Sequence, residues 1–142
     1  MATTPDVLVG RVRSLLINAP FFYREAVNNE DFSLQGIGSS DAVFRIKMDG
    51  GSSIGGFAYS EDRTDMLTVE VTRQIAANYH NTTALLTGDC NSLVAAIIRD
   101  GHVTSGAYTV PDNGRVWETL APSGASYLLL RLTLPINYEA QV

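Results

Sequence analysis

The chain has 142 residues, enough for one ordinary domain with a sizeable buried core. Fifteen acidic against ten basic residues give a net charge of −5, and the basic residues are scattered, which argues against a nucleic-acid binder that must displace counterions from phosphates. Charged residues make up 18 %, below the roughly one quarter of a usual soluble domain, so part of the surface is expected to lie under other subunits.

Thr4-Pro5-Asp6 starts a helix: a Thr cap, Pro in the first turn, and an acid near the positive helix end. Leu8, Val12, Leu15 and Leu16 form its apolar stripe, and Pro20 ends it by pushing Ala19 out of helical geometry. Phe21-Phe22-Tyr23 follows at once, either as a strand start or core plug beneath the helix, or as an exposed subunit contact. Ala42, Phe44, Ile46 and Met48 alternate with Val43, Arg45 and Lys47, a strand with one wet face. The run from Asp49 to Gly56 reads as a flexible loop, Phe57 to Ser60 as a short strand segment, and Glu61 to Asp65 as another turn. Leu67, Val69 and Val71 then mark a second firm strand that extends toward Ile75.

Ala76 to Thr87 is ambiguous, short helix or irregular. A helix is expected to open near Asp89, to bury its contiguous apolar residues deeply, and to end at Gly101. Asp112-Asn113-Gly114 signals a hairpin between strands around Ala107–Val110 and Val116–Leu120, and Ala121 to Gly124 makes the next turn. From Tyr127 to Tyr138 the chain alternates strictly, with Leu128, Leu130, Leu132, Leu134 and Ile136 on one face. Such a strand would run roughly 35–40 Å, about twice the usual length. The order predicts an α+β fold: a mostly antiparallel β-sheet with two α-helices packed on one face, in a single domain over 1–142.

Candidate chemistry is sparse. The loop at 49–56 lacks the Lys and Ser or Thr of a phosphate loop, having Phe57 and Ala58 instead, and no helix follows to receive a phosphate. His80 and His102 lie 22 residues apart without a second histidine at metal-pair spacing. Cys90 sits in the first turn of the expected helix, with His80 the nearest base in sequence; a small buried residue is the simpler reading. Glu30, Asp31, Asp41, Glu61, Asp62 and Asp65 fall in predicted loops without calcium-loop spacing, and read as solvated charge rather than a carboxylate dyad. Asn81-Thr82-Thr83 matches a glycosylation sequon that matters only on secretion. No enzyme, cofactor or metal is expected. The lone Cys90 can form no internal disulfide, and the first residues carry no signal-peptide pattern. With no run near the roughly twenty apolar residues of a membrane span, a soluble protein made inside the cell is expected.

The layout resembles the tail terminator (tail completion) proteins of long-tailed bacteriophages. The residues that carry the likeness are the N-terminal amphipathic helix, the Leu67–Arg73 strand ahead of a second helix, and above all the closing run from Tyr127 to Ala140. The resemblance implies a homo-oligomeric ring, usually a hexamer, in the neck region of the virion. Such a ring caps the head-proximal end of the tail tube, stops polymerisation of the tail tube protein, and presents a surface to a neck or head-completion protein. DNA would pass through an acidic ring without specific binding. The subunit or tube contacts expected on this basis are Phe21, Phe22 and Tyr23, then Gly50, Gly51, Ser52, Ser53, Ile54 and Gly55, and Asp62 with Arg63. Another neck component (a head-closure or adaptor protein) fits the same pattern. A small intracellular ligand-binding α+β domain, with a pocket between sheet and helices, is the alternative of another class.

Overall fold

Three strands of fifteen residues each form the centre of the molecule. A computed structural model describes residues 5–19, 21–26, 42–57, 60–74, 79–99, 108–110, 114–120 and 127–141. Its elements in chain order are α1 (Pro5–Ile17), β1 (Arg24–Glu25), β2 (Val43–Phe57), β3 (Ser60–Gln74), α2 (Tyr79–Arg99), β4 (Tyr108–Thr109), β5 (Val116–Leu120) and β6 (Tyr127–Gln141). The sheet order is β1-β2-β3-β6, with β4 and β5 sharing the far edge of β6. β1 runs parallel to β2; the other pairings are antiparallel.

Alternation along the strands sorts the two faces. The rungs Ile46–Val69–Leu132 and Met48–Leu67–Leu134 point to one face, where they meet Leu8, Val12 and Leu16 of α1 and Leu86, Leu93 and Ile97 of α2 in one core. Each such side chain, once buried, contributes about 1.5–3 kcal/mol. Both helices therefore lie on the same face of a mostly antiparallel sheet, the expected α+β class. Pro135, which has no N–H for a ladder, falls in the stretch of β6 between the residues paired by β5, up to Thr133, and those paired by β4, from Asn137.

Five expectations need correction. The supposed loop at 49–56 is the second half of β2, and the supposed turn at 61–65 is the start of β3. The chain reverses between Phe57 and Ser60, which pair with each other; Ala58 and Tyr59 lie outside the described residues. β2 accommodates its glycines by slipping one residue against β3 between Met48 and Gly51 and again between Ser53 and Gly55. Gly51 is required there, because a Cβ would run into the Thr64 carbonyl and the Asp65 side chain.

The second helix opens at Tyr79, ten residues before the expected Asp89 cap, so Asp89 and Cys90 lie in its middle. Nor is that helix deeply buried. Thr82, Leu86, Asp89, Cys90, Leu93 and Ile97 form one buried stripe, while Leu85 is half exposed and Val94 only partly covered. The strands near 108 and 116 are present, but among the described residues each pairs with β6 and not with the other, so the expected hairpin is replaced by two short strands end to end on one edge. The expectations on Thr4, Glu30, Asp31, Asp41, Gly101, His102, Asp112, Asn113 and the turn at 121–124 fall outside the described residues.

Candidate assembly surfaces

The sheet outruns its core. Among the described residues the apolar core holds nothing of β2 beyond Met48 and nothing of β3 before Leu67. Gly51–Phe57 and Ser60–Asp65 nonetheless continue as paired strands for about 20 Å beside Ile136–Gln141, whose Ile136 and Tyr138 still belong to the core, so all three strands pass it together only over their last three residues, about 10 Å. Gly50 to Ser53, Gly55, Gly56 and Asp62 are exposed on this arm. Glycine and serine are weak strand formers, so the β2 part of the arm is held mainly by its pairing with β3, which β6 supports from the other side. At the arm's base Tyr138 donates its hydroxyl to Asp65 Oδ2 at 2.5 Å, and the Arg63 guanidinium lies 5.8 Å from the Tyr138 ring centre. The outer edge of β2 is paired by β1 only at Val43 and Phe44. From Ile46 to Phe57 no described strand covers it, and an open strand edge can template another chain.

The face away from the helices carries a rung of alternating charge across four strands. Arg45 of β2, Glu70 of β3, Arg131 of β6 and Glu118 of β5 stand directly opposite one another. Arg45 Nε donates to Glu70 Oε1 at 2.8 Å, Arg131 Nε to Glu70 Oε2 at 3.1 Å, and Arg131 Nη1 to Glu118 Oε1 at 3.0 Å. Glu70 is fully buried. Burial alone would push its carboxyl up; hydrogen bonds from Arg45 and Arg131, with the charges of Arg45 and Lys47, outweigh it and hold the group below the ordinary range.

At the end of the sheet opposite the arm, the turn after α1 places Tyr23 in the core. Its hydroxyl donates to Asp89 Oδ1 at 2.7 Å, and Arg73 binds both Asp89 oxygens at 2.6 and 2.9 Å. Burial first, then the hydrogen bond and charge of Asp89, raise the Tyr23 pKa well beyond the ordinary phenol. The cluster ties the post-α1 turn, β3 and α2 together, and its members satisfy one another.

Along the free side of α2 lies a groove of about 360 Å³. Asn91, Val94, Ala95 and Ile98 form one wall, Arg115 and Trp117 the other, and Cys90 also lines it. Trp117 is 61 % exposed and Val116 58 %. Arg115 has no ion pair or hydrogen bond among the described residues.

The structure divides the expected contact residues between the two ends of the sheet. Gly50, Gly51, Ser52, Ser53, Gly55, Asp62 and Arg63 come together on the arm, with the backbone of Ile54. Phe21, Phe22 and Tyr23 lie near Arg73, roughly 35 Å away along β3. There Tyr23 is buried and Phe21 packs partly against the core, while Phe22, at φ +52°, is 70 % exposed. His80 is exposed in the first turn of α2, and Cys90 is buried about 15 Å further along the helix, so the two form no thiol–imidazole pair. Burial pushes the Cys90 thiol up, against the lowering charge of Arg115. No group of three or more potential metal ligands occurs among the described residues.

Sequence reading missed the α2–β5 groove and the four-strand charge rung. The alternating signs of Arg45, Glu70, Arg131 and Glu118 were visible, but only the strand register aligns them. No described helix is long and apolar enough to cross a membrane. Compared with models of known protein families and with curated protein sequences, the chain matches none.

Proposed function

We propose that this chain is a ring-forming structural protein of the tail-terminator kind, capping the head-proximal end of a bacteriophage tail tube within the virion. The observation that carries the reading is the arm. β2 and β3 run about 20 Å beyond their last core residues, with β6 alongside and its Ile136 and Tyr138 still in the core, and no described strand covers the glycine-rich outer edge of β2 from Ile46 to Phe57. An isolated flat edge is an aggregation hazard, which proteins cover or blunt. A neighbouring subunit covering it in a heterologous contact gives each subunit two different patches, and rotation closes such contacts into a ring. The partners on this reading are further copies of the chain, the tail tube protein, and a neck or head-completion protein. DNA passes the net negative ring without a specific site.

The alternative reading of a ligand pocket between sheet and helices has less support. That space is filled by the packed core of Leu8, Val12, Leu16, Leu86, Leu93 and Ile97. The test is to add the purified protein to tail tubes growing from tube protein. Tubes of fixed length with density on one end only are expected. Tubes that grow as they do without the protein would overturn the reading.

A further inference from the structure

Among the described residues, two charged features lack partners and are complementary to each other. One is Arg115 with the exposed Trp117 in the α2–β5 groove. The other is the last part of the arm, where Asp62 and Glu139 stand directly opposite each other. Both are exposed, and neither has an ion pair or hydrogen bond among the described residues. Like charges placed opposite one another across a strand pair are unfavourable unless a cation joins them. Gly55 completes the same rung and has open space beside it, so the backbone there is bare.

We infer that the groove receives the arm of a second copy of this chain, with Arg115 set between the partner copy's Asp62 and Glu139 and Trp117 lying against the bare Gly55 rung. One chain cannot make this contact with itself. Arg115 precedes Val116, which pairs with Thr133, so it sits about 17 Å along β6 from Glu139. It also lies on the helix side, as its place beside α2 in the groove requires, whereas Asp62 and Glu139 share the parity of Glu70 and Arg131 on the other face. An unpaired guanidinium on one surface and an unpaired acid pair on another are complementary only between copies, and the contact is heterologous, as ring closure needs. The inference rests on the ring reading and names the surfaces that make it.

The test is charge exchange in the full chain, read as the self-association constant by sedimentation at low salt, where rim charges are least screened. Arg115→Glu alone, and Asp62→Lys with Glu139→Lys, are each expected to weaken association by about tenfold or more. Combining all three substitutions is expected to restore it to within about threefold of the parent, which a merely structural effect would not do. A parent that associates while every variant associates equally would overturn the groove contact and leave the ring reading standing. Weakening without rescue would also overturn it. A parent that stays monomeric at all concentrations and on tails would overturn both.

Discussion

Replacing Glu70 with glutamine tests the charge rung, because it keeps the shape and removes the charge. Glu70 is fully buried and accepts from Arg45 at 2.8 Å and Arg131 at 3.1 Å. In Glu70→Gln one carboxylate oxygen becomes an amide N–H2 facing a guanidinium donor, so one charge-assisted bond is lost and the other becomes charged-to-neutral. Hydrogen bonds to charged groups contribute about 1.5–3 kcal/mol each. The arginine side chains are 37 % and 36 % exposed, so water screens part of that. A loss of about 2 kcal/mol at pH 7 follows, or roughly 4–8 °C in Tm for a domain of this size.

The pH dependence fixes the sign. The folded-state pKa of Glu70 lies below its unfolded value of 4.5. Its contribution is therefore fully present above pH 4.5 and is lost as pH falls through the folded value. Urea denaturation of parent and variant across that range should show a gap at pH 7 that closes in acid. A variant within about 0.5 kcal/mol of the parent at pH 7, or a gap that stays constant as pH falls, would refute the argument.

Other substitutions probe other parts of the fold. Gly88 sits exposed inside α2 with open space where a Cβ would go, so Gly88→Ala should stabilise by about 0.5–1 kcal/mol in urea melts. Leu132 is fully buried at the centre of the core rungs, and Leu132→Ala should cost about 2–5 kcal/mol in the same assay. Gly51→Ala forces β2 away from β3 at the base of the arm, costing about 1–3 kcal/mol, with faster hydrogen exchange expected at Ser52–Gly56 than in Leu67–Val71.

The elements legible in the sequence were those whose burial is written as a period. Leu128 to Ile136, Phe44 to Met48 and Leu67 to Val71 alternate, and each lies in the core where alternation put it. The stripe of α1 was equally plain. Gly50 to Gly56 was not, because composition reports local preference, while this strand is held by non-local pairing to β3. The first half of α2 was hidden for the same reason. Thr82 and Thr83 are poor helix formers and Gly88 is worse, yet burial of Thr82 and Leu86 against the core overrides them. Of the residues expected as contacts, the glycine run and Asp62, singled out by their polar, loop-like composition, lie together on one exposed arm. Tyr23 was indistinguishable in sequence from Phe22, and only the Asp89 and Arg73 partners, distant in the chain, draw it inside.

The central claim is that the chain closes into a ring, and the most direct measurement is the mass of the purified protein over a wide concentration range, with negative-stain images of whatever forms. A closed ring of several subunits, about six on the family resemblance, with an open axis, is the result this account requires. A two-fold dimer that presents the same patch from both copies, with the β2 edge and the α2–β5 groove both left open, would contradict it.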